Sequence, residues 1–327
     1  MILNAFKVGL FTGLVLCSQL ALAEGAPQYD TDCVQKALLD SATTLEEIRK
    51  QCVLKEAKNI EISAFEKRLQ QERLNRNNQF SIQSYLPNYV LFGSYNFSGT
   101  NQKPFKEVYE GEEFFDPVEV KFQISLKVPI SENFLGWGDH WFVGYTNRSF
   151  WQAYNHTISA PFRETNHAPE AWISFDNDWR LLGWQNRLVD LGVVHQSNGQ
   201  TGALSRSWNR AYLRFIFEQE NSAFGFMPWI RLPETDPTDD NPDILKYMGY
   251  GEFYYLTKYD EQNFRVIVRN NFDANDNKGS FELSYTYPIH RNLNGYVQWF
   301  YGYGESLIDY NYKNNTLSLG VQLGNLF

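Results

Sequence analysis

From Val118 to Val128 the chain reads Val-Glu-Val-Lys-Phe-Gln-Ile-Ser-Leu-Lys-Val, with every even position apolar and every odd position polar. Side chains in a β-strand repeat every two residues, so the segment is a strand with one greasy face and one polar face. Such strictness is unusual for a soluble core. The same period runs from Tyr85 to the end and gives twelve candidate strands, near 86–97, 118–130, 138–152, 169–181, 186–198, 206–219, 221–232, 246–258, 262–273, 278–289, 293–304 and 315–327. Past residue 23 no apolar run is long enough for a membrane-spanning helix, yet 17% of the residues are aromatic and the mean hydropathy is -0.46. A barrel with a lipid face and a polar lumen averages to such values. Lipid accepts a sheet only when its edges close, because each unpaired backbone group there costs roughly several kcal/mol. The expected fold is therefore all-β, a twelve-stranded antiparallel transmembrane β-barrel with a short, partly helical N-terminal extension. A soluble sandwich has a similar period but ranks behind it, since Trp141, Trp151, Trp172, Trp184, Trp229 and Trp299 fall near strand ends, where interfacial girdles form.

The N-terminus sets the compartment. Lys7 precedes an apolar run from Val8 to Leu22, and Ala21-Leu-Ala23 supplies small residues before Glu24, so residues 1–23 read as a cleaved secretory signal. Processing as a lipoprotein at Cys17 is disfavoured, because Leu14-Val-Leu16 lacks the small residue it requires. Cys33 and Cys52 remain in the mature chain, and an exported protein can pair them. Residues 24–84 read as a polar periplasmic extension with a helix start at Thr43-Thr-Leu-Glu-Glu47, and residues 85–327 as the barrel, ending on a Phe327 familiar from bacterial outer-membrane barrels. An even strand count places both barrel ends on the periplasmic side of the outer membrane, which the chain crosses many times. A net charge of -9 argues against nucleic acid as a partner.

Within Leu188–Ser197, residues Val189, Leu191, Val193, His195 and Ser197 share the apolar face, while Asp190, Gly192 and Gln196 share the other. In the following Ser207–Phe217 segment, Asn209 has the parity of Ala211, Leu213, Phe215 and Phe217. A hairpin turning near Gly202 brings 195 opposite 209, so a nucleophile, a base and an amide gather on a surface that faces lipid. Polar groups are costly there and seldom idle. Asp190, Arg210, Arg214, Glu218, Arg265, Arg269 and Glu282 have inward parity and are expected to fill the lumen with charge pairs.

At His195-Gln-Ser-Asn-Gly199, followed by Ser205-Arg-Ser-Trp-Asn-Arg210, the chain resembles the outer-membrane phospholipase A family. Pro161–Asn166, Asp240–Asp243, Lys246–Tyr250 and Tyr301–Tyr310 match it in the same order, and the likeness covers about residue 85 to Phe327. The resemblance implies a calcium-dependent acyl hydrolase on a twelve-stranded barrel, releasing fatty acids from phospholipids and lysophospholipids. It implies Ser197 as nucleophile, His195 as general base, Asn209 as the group orienting the imidazole and the Gly199 N–H as an oxyanion donor. It places the Ca²⁺ contacts on Ser159, Gln200, Ser205 and Asp240, hard oxygen donors suited to that ion, with main-chain carbonyls serving at Ser159 and Gln200. Gly202 departs from it, standing where the family can have an aspartate near the metal. The family works as a homodimer joined through lipid-facing sides, and Asn147 occupies a polar interface position; a rim asparagine facing solvent is the equally weighted alternative. Counting strands from a periplasmic start puts the loops after strands three, five and seven at the outer rim, and these hold all four calcium candidates. The competing reading of the whole chain is a catalytically inactive pore or surface-binding barrel.

Overall fold

A computed structural model describes residues 63–76, 81–106, 114–234 and 239–324. The signal segment, Cys33, Cys52, the helix start at Thr43 and Phe327 lie outside these residues. Helix α1 spans Ala64–Arg76, and Ser63 caps it, its Oγ accepting the Glu66 N–H at 2.9 Å. The strands follow in chain order: β1 (Gln83–Ser84), β2 (Asn88–Asn96), β3 (Val118–Glu132), β4 (Asp139–Trp151), β5 (Phe162–Asp176), β6 (Arg180–Leu181), β7 (Trp184–Ser197), β8 (Ser207–Gln219), β9 (Ser222–Leu232), β10 (Gly251–Tyr259), β11 (Gln262–Asn270), β12 (Gly279–His290), β13 (Leu293–Tyr303) and β14 (Lys313–Leu323). A short helix α2, Ile244–Met248, precedes β10.

Each long strand pairs antiparallel with the next, and β14 returns to pair with β2, so twelve strands close on themselves; β1 and β6 are two-residue additions against β3 and β7. Closure leaves the wall without a free edge. The period-2 pattern sorts the side chains as expected. On β3, Lys121, Gln123, Ser125 and Lys127 are buried inside, whereas Ile124 and Leu126 are 50% and 38% exposed on the outside.

The lumen is packed with polar and aromatic groups. Asp190 binds Arg214 at 2.6 Å, Lys121 binds Glu305 at 2.9 Å, and Arg163 bridges Glu119 and Asp309 at 2.8 Å each. Arg265 lies 3.9 Å from Glu282, and Glu218 meets Arg187 at 3.3 Å. Two of the arginines expected in charge pairs are held differently: Arg269 donates to the carbonyls of Tyr303 and Gly304, and Arg210 stacks 4.0 Å from the Trp208 ring while donating to Gln196. Polar wall positions and an inward loop at 304–307 surround a cavity of about 340 Å³ that α1 borders from the opposite end. In α1, Leu69 is buried, Glu72 binds Lys127 at 2.7 Å, and Glu66 pairs with Arg187.

Three expectations need correction. The fourth strand begins at Phe162 and ends at Asp176, where 169–181 was expected. The β5–β7 ladder skips from the His167–Ser197 pair to the Glu170–Val194 pair, and Pro169, which has no N–H to donate, sits in that gap. Residues 246–248 are helical, following Pro242 and Asp243, and Gly249, at φ +72, ends that helix before β10. Trp172 and Trp229 point inward, away from any girdle: Trp172 stacks between Tyr85 and Phe142, and the Trp229 indole donates to the Gly249 carbonyl at 3.0 Å.

Candidate active site on the outer wall

In the β7–β8 ladder His195 stands directly opposite Asn209 and Ser197 opposite Ser207. The register follows from a hairpin centred on Gly202, as the alternation of apolar residues requires. Leu191 and Val193, on the same face of β7, are 51% and 52% exposed, and the His195 ring is exposed with them. Ser197 therefore projects outward from the wall, at the end of β7.

His195 Nδ1 and Asn209 Oδ1 are 2.8 Å apart. An amide oxygen only accepts, so Nδ1 carries the proton and Nε2 is left with its lone pair, the state a general base needs. The Ser197 hydroxyl oxygen accepts the Gly199 N–H at 3.1 Å, and it shares the face with the His195 ring without a hydrogen bond between them. Gly199 has φ +66, a left-handed conformation that glycine adopts freely, and it turns its N–H back toward the serine. A backbone N–H is thereby placed beside the outward hydroxyl.

Two side chains at this site were not anticipated from sequence. His167 on β5 pairs across the ladder with Ser197 on one side and Asn147 on the other, so Asn147, His167 and Ser197 form a row across three strands. Its Nδ1 is 2.6 Å from Tyr145 Oη and 3.4 Å from Asn147 Nδ2. Asn147 also accepts a hydrogen bond from Ser149 at 3.1 Å, which sets it within the strand network of β4 instead of at a solvent-facing rim. Glu234, two residues past β9, accepts the Asn209 Nδ2–H at 3.1 Å. Parity would have found both: His167 has the outward phase of Ile173 and Phe175, and Glu234 that of Ile230 and Leu232.

The loops after β4, β7 and β9 leave the same end of the barrel, since alternate strands of an antiparallel wall run in the same direction. Those loops hold Ser159, Gln200, Ser205 and Asp240. Ser205 Oγ donates to Asp240 Oδ2 at 2.5 Å, which joins the second and third loops. Ile158 and Leu204, neighbours of Ser159 and Ser205, pack against one aromatic cluster of Phe105, Phe114 and Phe115. Gln200 is exposed, and no contact draws it to the other three. Among the described residues no group of three or more His, Cys, Asp or Glu side chains is gathered as for a metal. A cation here would rest on one carboxylate, hydroxyls and main-chain carbonyls. That donor set is all hard oxygen, and it fits Ca²⁺ better than a softer metal.

A family model described as phospholipase A1 matches residues 65–323, reaching back into α1, some way before the blocks that carry the resemblance in the sequence. The phospholipase A1 of Escherichia coli strain K12 is 38% identical over 250 residues, 76% of this chain and 84% of that protein. Its counterpart from Klebsiella pneumoniae is 37% identical over 255 residues, 77% of this chain and 86% of that one. Among solved structures, outer membrane phospholipase A from Escherichia coli superimposes with a TM-score of 0.71 at 38% identity, covering 76% of this chain and all of the other. A calcium-bound dimer of the Salmonella typhi outer membrane phospholipase does so with a TM-score of 0.72 at 36% identity, covering 78% and 97%.

Proposed function

The chain belongs to the phospholipase A1 family and is an outer-membrane barrel enzyme, and we propose that it is a calcium-dependent serine hydrolase releasing fatty acids from phospholipids and lysophospholipids through Ser197, His195 and Asn209. The observation that carries the reading is the 2.8 Å contact between His195 Nδ1 and Asn209 Oδ1 on a wall that faces lipid, beside an outward serine. The substrate is a bilayer component, and a site on the outer wall meets its ester without extracting it from the membrane.

In this mechanism His195 Nε2 takes the Ser197 Oγ proton as the oxygen attacks the acyl carbon. The imidazolium that forms is steadied by Asn209 Oδ1, which accepts from Nδ1–H. The Gly199 N–H turns from the serine oxygen to the developing oxyanion, a donor contributing roughly 3–4 kcal/mol when preorganised. His195 then returns its proton to the leaving glycerol oxygen, and water activated by the same ring releases the fatty acid. Ser205 and Asp240, with carbonyl oxygens of Ser159 and Gln200, are the groups that would hold Ca²⁺. The ion when bound supplies positive charge near the oxyanion.

Activity is governed by dimerisation in this reading. Exposed Val143, Tyr145, Leu191 and Val193 surround the site, and Asn147 brings a polar group into that apolar field. A second copy seated there would cover the triad and enclose the acyl chain; the Salmonella typhi relative assembles as a dimer with calcium. The inactive-pore alternative loses ground to the lumen, where ion pairs, the inward loop and α1 occupy the path.

The test is acyl release from a defined phospholipid by barrel refolded in detergent, with Ca²⁺ and with excess chelator. Turnover is expected to vanish in Ser197→Ala and in chelator. Unchanged release by Ser197→Ala removes the assignment, and undiminished release in chelator removes the metal.

A further inference from the structure

An asparagine in the third position of a catalytic triad leaves two problems. It brings no charge to stabilise the imidazolium, and its amide can rotate by half a turn, presenting Nδ2 to the ring in place of Oδ1. In the rotated state Nδ1 becomes the acceptor, Nε2 takes the proton, and the base is lost.

Glu234 addresses both. A carboxylate only accepts, so its 3.1 Å contact with Asn209 Nδ2 fixes which end of the amide faces outward and which faces His195. The geometry follows from the strand pairing. Asn209 is opposite Leu232 in the β8–β9 ladder, and Glu234, two residues on, keeps the outward phase of Leu232 and reaches the Asn209 side chain from the rim. Its neighbours are otherwise engaged: Arg231 pairs with Asp239 at 2.5 Å, and Asp240 with Ser205. We infer that Glu234 is a positioning residue of the hydrolase site, extending the triad to a Ser197–His195–Asn209–Glu234 chain in which it locks the amide orientation and supplies through it the negative charge that asparagine lacks.

No proton moves along the outer two links. Ser197 gives its proton to His195 Nε2, Nδ1–H stays bonded to Asn209 Oδ1, and Nδ2–H stays bonded to Glu234. His167, across Ser197 on β5, and Tyr145 on β4 are further titratable groups on this face, the His167 Nδ1 being held by Tyr145 and Asn147. His167 lies on the far side of the nucleophile from Glu234.

The inference rests on the proposed function, and the experiment separates the two. Kinetics of phospholipid hydrolysis by the refolded, calcium-loaded barrel are measured against pH for the unmodified protein, Ser197→Ala, Glu234→Gln and Glu234→Asp. Glu234→Gln is expected to lower kcat about tenfold with KM nearly unchanged. A carboxylate favours the imidazolium, so its loss makes His195 less basic; the acidic limb of kcat/KM should move roughly half a pH unit lower even as the plateau falls. Glu234→Asp should recover most of the rate. In an Asn209→Asp background, where charge already adjoins the ring, Glu234→Gln should cost almost nothing. A barrel that needs Ser197 but keeps its kcat and its acidic limb in Glu234→Gln overturns this inference alone. Equal losses from Glu234→Gln in both backgrounds overturn it as well. A barrel in which Ser197→Ala changes nothing fails at the earlier step.

Discussion

The two faces of the β7–β8 hairpin hold polar groups on different terms. Inward, Asp190 is held by Arg214 at 2.6 Å and by Ser174 at 2.5 Å, and every partner is itself buried. Outward, His195, Ser197 and Asn209 are joined by few bonds and stand open on an apolar field. Buried charges must be matched or they destabilise the fold, so inward groups are fixed by their partners. Outward groups contribute little to folding, and their arrangement is free to serve chemistry. The same alternation of residues along one strand thus separates stability from reactivity.

The largest effect that would test this division is on the outer face. His195→Ala should reduce acyl release by about 10⁴-fold, because a serine hydroxyl without its base is a poor nucleophile. Its denaturant midpoint should stay within error of the parent. A matching fall in stability would show that the outer polar groups also hold the wall together.

The inner face should give the reverse. Arg163 is buried and bridges Glu119 and Asp309, so Arg163→Met leaves two carboxylates uncompensated and is expected to destabilise the barrel by about 3–5 kcal/mol. Equilibrium unfolding in lipid reads the loss, and the folded fraction should keep its kcat. A specific fall in kcat with stability intact would place this network in the chemistry.

The end of the lumen bordered by α1 offers a third comparison, through pH. Burial works against the charge on Glu72, but Lys127 and Arg68 prevail and bring its carboxyl from 4.5 down to about 2. A carboxylate whose pKa is lowered by folding contributes stability that is fully present above 4.5 and is lost as pH falls toward 2. A decline of about 3 kcal/mol across that window is expected for the parent. Glu72→Gln should flatten it. If the slope persists, α1 is held at its end of the lumen by groups other than this ion pair.

How much of this was readable in advance follows the same division. Alternation on β3, β7 and β14 revealed the barrel, because lipid on one side and a polar lumen on the other impose a strict period. The His195–Asn209 register was legible because a hairpin about Gly202 allows one pairing that keeps both faces consistent. What was hidden came from places where a local signal outweighed the ladder. The fourth strand was expected near 169–181, but β5 starts at Phe162 and carries Pro169 in a gap in its pairing. Trp172 and Trp229 near strand ends suggested girdles, while their phase sent them into the lumen. Resemblance named the triad and offered nothing at Glu234, whose role depends on a bond between a side chain just past the end of β9 and one on β8.

The smallest expected effect concerns the outer loop that leads to Ser205. Gly202 is exposed, has φ +59, and a Cβ added there would meet nothing within 4 Å, so space is no obstacle to a side chain. The backbone is the obstacle: a left-handed residue with a side chain costs about 1–2 kcal/mol, less for aspartate or asparagine. Gly202→Asp adds a carboxylate next to a donor set that otherwise has one, Asp240, and attraction to a divalent cation should exceed the strain by a small margin. The calcium concentration for half-maximal acyl release should fall about threefold to tenfold. Gly202→Asn carries a similar strain and no charge, so it should leave that concentration unchanged or raise it. If aspartate and asparagine behave alike, the cation does not sit beside this loop, and the outer rim is not the metal site that Ser205 and Asp240 suggest.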